Sequence, residues 1–188
     1  MTEKTNPFDL QFGRQVLPAI KNRSEELSGL KTALDIGCSN GANSRYLASL
    51  GLAVDAIDTK LPKNIGDCKN VSFKQMDILD FPFDKKYDVI IAINVLHFLS
   101  PEDRNTVMSK MYKALNKDGY LFIRGLTMKD QMVAKGKFEE DELFTWGVPK
   151  IKFLEFFEGE KPDINHDGSP GTHIHHITVL AGEKINGE

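Results

Sequence analysis

The chain has 188 residues, of which 40% are apolar and 27% charged, and this composition favours one globular domain over a disordered or fibrous chain. Its 24 Lys and Arg residues against 27 Asp and Glu residues give a net charge of −3, with no long block of either sign that would predict a nucleic-acid partner. The longest apolar run, residues 89–99, is too short to cross a bilayer, so we expect no membrane partner either.

The first half of the sequence predicts strands that alternate with helices and loops. Apolar residues recur with helical spacing over residues 14–27, which predicts an amphipathic helix ending at Gly29. A second helix is expected to end at Gly51. The further predictions are a buried strand over Thr32–Ile36, a tight turn over residues 37–41, the second helix over residues 42–50, a strand over residues 52–57 and a loop over residues 60–70.

The second half continues this alternation and then changes. Ser100 is a candidate N-cap for a helix that begins at Pro101. The predictions are strands over residues 71–76, 87–93 and 120–124, the helix over residues 101–115, a turn over residues 116–119, a helix over residues 138–146 and two strands over residues 151–157 and 174–180. The pattern predicts an α/β fold with a mostly parallel sheet, helices on both faces and an antiparallel C-terminal hairpin at the edge.

A glycine-containing turn follows the first predicted strand, at residues 37–41. Ligands of open parallel sheets bind beyond the carboxyl ends of the strands, and Gly37 and Gly41 leave room for a close approach there. Asp58, at the end of the next strand, is placed to accept both hydroxyls of a ribose. A dinucleotide fingerprint needs glycine where this chain has Ser39 and Ala42, so we expect an adenosine ligand without a pyrophosphate.

The motif at residues 35–41, together with Asp58, Asp77–Ile78, residues 94–97 and residues 117–121, resembles the class I, Rossmann-like, seven-stranded S-adenosylmethionine-dependent methyltransferases. More narrowly, residues 41–48 and 177–181 resemble the tellurite-resistance type. The resemblance implies S-adenosylmethionine as cofactor and S-adenosylhomocysteine as product. The residues that it implies for cofactor binding are Asp35, Gly37, Cys38, Ser39, Gly41, Asn43, Asp58, Thr59, Asp77, Ile78 and Asn94.

The resemblance also implies a division of roles among these residues. Asp35 and the loop would hold the methionine moiety, Asp58 the ribose and Asp77 the adenine amino group, with Asn43 at the amino-acid end. The chain departs from the family in having Ser39 where glycine is usual. It would form a single domain, with an N-terminal helix or lid in residues 1–30, the cofactor-binding core in residues 31–125 and a C-terminal helix and hairpin in residues 126–188.

Methyl transfer needs alignment and exclusion of water more than a dedicated acid or base. His97, after the fourth strand, is the candidate base if the acceptor must lose a proton, with a packing role as the alternative. Arg124, at the end of the fifth strand, is a candidate for orienting an anionic acceptor, with a structural salt bridge as the alternative. We expect a small soluble acceptor and a monomer or homodimer.

Two other functions are open on the sequence. The motifs establish binding more directly than turnover, so a non-catalytic module for S-adenosylmethionine or S-adenosylhomocysteine is one alternative. The G-x-S-x-G pattern around Ser39, with Asp163 and the histidines at 173–176, is the other, a serine hydrolase. The short stretch before the motif leaves too few strands for that fold.

The remaining features predict neither a metal nor an extracellular setting. Residues 163–168 begin like a calcium loop, but position 174 is Ile where a glutamate ligand is required. The histidines at 173–176 alternate between strand faces and do not converge on a metal. Cys38 and Cys68 have no spacing typical of a disulfide framework or zinc module, and without an N-terminal signal segment we expect a cytoplasmic protein. Phe8, Phe12 and Arg14 are candidates for a lid over the cofactor.

Overall fold

The computed structural model describes residues 16–126, 151–164 and 172–184. Its α-helices are α1 (Pro18–Lys21), α2 (Ser24–Leu27), α3 (Ala42–Ser49) and α4 (Pro101–Ala114), with 3₁₀ helices at Ile78–Asp80 and Leu96–Phe98. Its strands are β1 (Thr32–Ile36), β2 (Ala53–Asp58), β3 (Val71–Gln75), β4 (Tyr87–Ile93), β5 (Leu115–Leu126), β6 (Ile151–Ile164) and β7 (Thr172–Lys184). No helix in these ranges is long and apolar enough to span a membrane.

The strands form one sheet in the order β3-β2-β1-β4-β5-β7-β6. Strands β1 to β5 are parallel to one another. Strand β7 is antiparallel to both β5 and β6. The predicted mostly parallel sheet with an antiparallel C-terminal edge pair is therefore confirmed. The chain runs outward from β1 to β3 and then returns to β4 on the other side of β1, so the strand order reverses between β1 and β4.

Alternating residues of the central strands build two apolar layers, one on each face of the sheet. Ala33, Val89 and Phe122 lie in the cluster that includes residues of α1, α2 and α3. Leu34, Ile90 and Leu121 lie in the opposite cluster, which α4 and both 3₁₀ helices cover. The central strands are thus buried on both faces, as their uninterrupted apolar sequences predict.

The prediction of one continuous N-terminal helix over residues 14–27 is wrong. Residues 14 and 15 lie outside the described ranges, and the rest forms α1 and α2 as two single turns. Pro18 opens the first turn, and Arg23 leaves helical geometry with φ −119° and ψ 24°. Both turns still bury their apolar side, including Ile20 and Leu27, which is the periodicity that predicted one helix.

The strand β5 is longer than predicted and contains the expected turn. Its pairing with β4 passes from Tyr87 opposite Leu115 directly to Val89 opposite Tyr120. The intervening residues 116–119 bulge out of the ladder, and Asp118 there has a φ of 59°. The helix predicted over residues 138–146 and the lid candidates Phe8, Phe12 and Arg14 lie outside the described residues.

One side chain joins the amino ends of the three central strands. Asp88 of β4 accepts hydrogen bonds from the N–H groups of Lys31 and Thr32, at 2.9 and 3.0 Å, and from the Thr32 hydroxyl. Its other oxygen accepts the Asn116 amide at 2.7 Å. Burial alone would raise the pKa of Asp88, but the hydrogen bonds from Asn116, Lys31 and Thr32 outweigh it and lower the pKa.

We expect Asp88→Ala to lower the free energy of unfolding by about 1 to 2 kcal/mol, since several donors lose a charged acceptor at a partly exposed site. Because the folded pKa is depressed, the stabilisation is present at neutral pH and is lost as the pH falls below the ordinary aspartate range. Urea denaturation at pH 7 and in acid measures both effects. The exposed Asp84→Ala is the matched control, and equal stability of the two variants would contradict the prediction.

Candidate active site

The predicted ligand-binding residues meet at the carboxyl ends of the parallel strands, at the point where the strand order reverses. Gly37 follows β1, Asp58 ends β2, Asp77 follows β3 and Asn94 follows β4. Ile36 lies beside both Ile57 and Ala92 in the ladder, so these strands end at one level. This is the edge at which open α/β sheets bind their ligands.

The loop after β1 is hydrogen-bonded to β2 on one side and lies close to Val95, after β4, on the other. The N–H groups of Gly37 and Cys38 donate to the Ile57 carbonyl at 2.9 and 3.0 Å. Gly37 has a φ of +72°, and a Cβ atom there would lie 2.5 Å from Cγ2 of Val95. A side chain at position 37 would therefore be both strained and in collision, which is why glycine is required.

Asp58 is held by the backbone of this loop. Its Oδ2 accepts the Ser39 N–H at 2.8 Å, and its Oδ1 accepts the Lys60 N–H at 2.9 Å. Ser39 adopts a left-handed φ of 49° to present that N–H. A carboxylate has about four acceptor positions, so each oxygen of Asp58 retains capacity for one more donor, as the predicted contact with two ribose hydroxyls requires.

Asp35 lies behind the loop, inside the fold. It is 1% exposed and accepts a short hydrogen bond from the hydroxyl of Ser44, a fully buried residue in the first turn of α3. Burial raises the pKa of Asp35 to about 7; hydrogen bonds from Ser44 oppose the rise, and the nearby charge of Asp58 adds to it. The pair fixes the start of α3 to β1.

Cys38 is also buried in this region, and it is a free thiol. Burial raises its pKa, and the charges of Asp35 and Asp58 raise it further. A thiol in this environment stays protonated and is not an activated nucleophile.

Asn43 has a contact that the sequence did not predict. Its Oδ1 accepts the N–H of Leu17 at 2.9 Å, so the amide joins α3 to the segment that enters α1. The predicted role of Asn43 at the amino-acid end of the ligand stays a prediction.

The residues after β2 and β3 form the far side of the site. Asp77 caps the following 3₁₀ helix, because its Oδ1 accepts the Leu79 N–H at 2.9 Å. Its side chain is otherwise exposed, whereas the adjacent Ile78 is buried. Thr59 is exposed immediately after Asp58. All three lie at the predicted edge.

Asn94 ends β4 in a left-handed conformation, with a φ of 57°. Its N–H donates to the Arg124 carbonyl at 2.8 Å, which ties the loop after β4 to β5. Its Oδ1 is buried and has no hydrogen-bond partner among the described residues. Buried polar atoms are usually paired, so this oxygen retains capacity to accept a hydrogen bond.

The two candidate catalytic residues also lie at this edge. His97 is 5% exposed in the 3₁₀ helix after β4, with its ring 4.3 Å from the ring of Phe98. Arg124 is buried on β5, beside Ile93 in the ladder. His97 follows β4 as predicted, whereas Arg124 lies within β5, which continues to Leu126 beyond the predicted end of that strand. Their roles stay predictions.

Sequence reasoning assigned no role to two residues of α3 that the structure brings to the site, Ser44 and Arg45. The burial of Ser44 beside Leu47, three positions on, follows the helical period and was a usable signal. No local pattern marks the partners of Arg45, which come from β3 and the loop before it.

No group of His, Cys, Asp and Glu side chains suited to a metal ion occurs in the part of the chain that the structure describes. The side chains of Asp163 and of the histidines at 173–176, the other members of the serine-hydrolase pattern, lie outside the described part.

Comparison with known proteins finds similarity over the part of the chain that builds this site. Residues 34–123 match the family described as methyltransferase domain. The ribosomal protein L11 methyltransferase of Campylobacter concisus is 31% identical over 121 residues, which cover 60% of this chain. The chain spans 41% of that relative's length.

Solved structures share the fold. TehB from Haemophilus influenzae gives a TM-score of 0.67 at 21% identity, over 88% of this chain and 61% of TehB. The 1,6-didemethyltoxoflavin-N1-methyltransferase of Burkholderia thailandensis, crystallised with 1,6-didemethyltoxoflavin and S-adenosylhomocysteine, gives 0.59 at 16% identity, over 89% of this chain and 79% of its own. The chain shares its fold with these methyltransferases, and its core from residue 34 to residue 123 is similar to the methyltransferase-domain family.

The raised pKa of Asp35 predicts an unusual pH dependence of stability. Between about pH 4 and pH 7 the folded protein retains a proton that the unfolded chain releases, so ionisation of Asp35 lowers the stability progressively as the pH rises through this window. We expect Asp35→Asn to gain stability relative to the wild type over the same window and to keep a constant difference above it.

Urea denaturation of both proteins from pH 4.5 to pH 8 measures this difference. Asp55→Asn is the control with the opposite sign: burial opposes ionisation of Asp55, but bonds from Tyr87 and Lys85 outweigh it and lower its pKa. Its stability deficit should therefore be constant above about pH 5. A constant difference between wild type and Asp35→Asn throughout would show that Asp35 titrates normally.

Proposed function

We propose that this chain transfers the methyl group of S-adenosylmethionine to a small soluble acceptor. The sulfonium methyl forms a bond to a nucleophilic atom of the acceptor, and the sulfur keeps the bonding electrons to give S-adenosylhomocysteine. The observation that carries the proposal is Asp58, held at the ligand-binding edge by the Ser39 N–H with acceptor capacity on both oxygens. The family match of the surrounding core supports it.

In this proposal the ligand lies across the ends of β1, β2 and β3. Asp58 accepts the ribose hydroxyls, and Asp77 accepts the adenine amino group with the oxygen that does not cap the 3₁₀ helix. The open oxygen of Asn94 accepts from the ammonium of the methionine moiety, a cation suited to a buried acceptor. Thr59 and Ile78 line the adenosine side, and the remaining contacts come from residues 37–43 with Asp35 behind them.

The chemistry needs few protein groups. An in-line displacement at a methyl group depends on alignment and on exclusion of water. His97 is the proposed base for an acceptor that must lose a proton, because it follows Asn94 at the same edge. Arg124 is proposed to orient an anionic acceptor from the end of β5.

A small acceptor is proposed on two grounds. The Burkholderia thailandensis methyltransferase with the same fold was crystallised with a small heterocycle, and the likeness to TehB supports the narrower resemblance to the tellurite-resistance type. The same proposal includes a single domain divided into residues 1–30, 31–125 and 126–188. It also includes a monomer or homodimer and a location in the reduced cytoplasm. The free thiols of Cys38 and Cys68 are compatible with that compartment.

The comparisons favour neither alternative function. The serine-hydrolase interpretation needs the Ser39 turn as a nucleophile elbow together with strands and an oxyanion loop before it, whereas the turn here follows the first strand, β1. A non-catalytic binding module differs from the enzyme only in turnover. Incubation with labelled S-adenosylmethionine and a panel of small thiols, metalloid oxyanions and heterocycles separates the two, because only the enzyme accumulates S-adenosylhomocysteine in an acceptor-dependent manner.

We expect Asp58→Ala to raise the Kd for S-adenosylhomocysteine about 100-fold, since two hydrogen bonds to a charged acceptor are lost. Isothermal calorimetry measures the Kd, and circular dichroism checks the fold. Asp84→Ala, an exposed acid before β4, should bind like the wild type. Unchanged affinity in folded Asp58→Ala would remove the ribose assignment.

Ser39→Gly tests the hydrolase alternative without straining the loop. Glycine tolerates the left-handed φ of residue 39 at no steric cost, and the N–H that Asp58 accepts is retained. Affinity for S-adenosylhomocysteine should therefore change less than about threefold, a shift well below the value of one hydrogen bond to a charged group. Loss of an ester-hydrolysing activity in this variant would instead support the hydrolase.

A further inference from the structure

The crossover between β2 and β3 contains no helix. Parallel strands are usually joined through a helix, but residues 59–70 pass from Asp58 to Val71 without helix or strand. Two of its carbonyl groups are bonded locally: Pro62 accepts the Ile65 N–H at 3.1 Å, and Cys68 accepts the Val71 N–H at 3.0 Å. Contacts from α3 add to these local turns in holding the segment.

Arg45 of α3 supplies such contacts. Its Nη2 donates to the Gly66 carbonyl at 3.3 Å and, in a shorter bond, to the Ile65 carbonyl. Gly66 has a φ of +65°, so the guanidinium engages the crossover where the chain turns. A planar guanidinium can serve two neighbouring carbonyls at once, which a lysine ammonium does less well.

The same guanidinium lies over an aromatic ring. The Arg45 Cζ atom is 5.2 Å from the ring centroid of Phe73 on β3, within the range of a cation–π interaction. The ring also packs against the backbone of Gly41, where an added Cβ would be 2.7 Å from Cε1 and Cζ of Phe73. Arg45 thus joins the end of the glycine loop, β3 and the crossover in one contact.

We propose that Arg45 is a positioning residue for the adenosine half of the ligand, a role that rests on the proposed function. It holds the crossover and Phe73 at a fixed distance from the glycine loop. The crossover starts at Thr59, directly after the ribose acid Asp58, and β3 leads to Asp77. Release of Arg45 changes the spacing between these two acids and the loop, whereas Asn94 is on the other side of β1 and keeps its place.

The test compares two probes, S-adenosylhomocysteine and 5′-methylthioadenosine, which has the adenosine and thioether but no amino-acid group. Calorimetry gives Kd and the number of sites for the wild type, Arg45→Met and Arg45→Lys. We expect Arg45→Met to raise both Kd values by the same factor, about tenfold, the value of one charged hydrogen bond. Arg45→Lys keeps the cation over the ring and loses less. A merely structural defect lowers the number of sites and leaves Kd unchanged.

Amide hydrogen exchange supplies a readout that needs no ligand. Residues 59–70 should exchange faster in Arg45→Met than in the wild type, and β1 and β4 should not. Lys110→Met is the matched control, because it removes a cation 6.0 Å from the Phe83 ring, on the opposite face of the sheet, and should change neither Kd nor the exchange of residues 59–70. If Arg45→Met does not fold, Phe73→Leu and Arg45→Lys remove parts of the same contact.

Two results would overturn the proposal: wild-type affinity of Arg45→Met for 5′-methylthioadenosine, or unchanged exchange of residues 59–70. If the first came with a loss of affinity for S-adenosylhomocysteine, it would assign Arg45 to the amino-acid end. Failure of the wild type to bind either probe would instead refute the proposed function, and the exchange experiment would then still decide whether Arg45 holds the crossover.

Discussion

The site depends on the close passage of the chain at Gly37. The backbone has to turn there between the end of β2, where the Ile57 carbonyl accepts two N–H groups, and Val95 after β4, which leaves no room for a Cβ atom. Once the turn is fixed in this space, the Ser39 N–H reaches Asp58. The position of Asp58 and the start of α3 are both consequences of that constraint.

The acidic side chains at this edge are the second feature that defines the site. Asp35, Asp58 and Asp77 lie at or behind one edge of the sheet, with the buried oxygen of Asn94 beside them. Burial raises the pKa of Asp35, and the charge of Asp58 raises it further. A ligand that carries a sulfonium and an ammonium suits this field better than one with a pyrophosphate, as the missing glycine of the dinucleotide fingerprint predicted.

The sequence predicted the elements whose signals are local. The bounds of β1 and β4 agree with the structure because each is an apolar run closed by turn residues, and α4 begins after Ser100, whose side chain accepts the Asp103 N–H as a cap should. The prediction of one helix over residues 14–27 was wrong because hydrophobic periodicity carries no information about the backbone torsion at Arg23. The predicted length of β5 was wrong because its first residue, Leu115, pairs with Tyr87 across a bulge, and this contact is non-local.

The site shows the same difference between local signals, which the sequence carries, and non-local contacts, which it does not. Glycine spacing and the acid after β2 are readable from sequence because the fold requires them at fixed positions. The partners of Asn43 and Arg45 are not, because Leu17 and Gly66 are distant along the chain and no pattern links them. Asn43 was therefore predicted as a ligand contact, and the structure adds a contact with the N-terminal segment that the motif does not encode.

These contacts converge on one turn of α3. Asn43 bonds to Leu17, Ser44 to Asp35 and Arg45 to the crossover. Consecutive residues of a helix are about 100° apart, so three in succession necessarily point in three directions. A single turn of α3 therefore positions the N-terminal segment, the buried acid Asp35 and the crossover between β2 and β3 together.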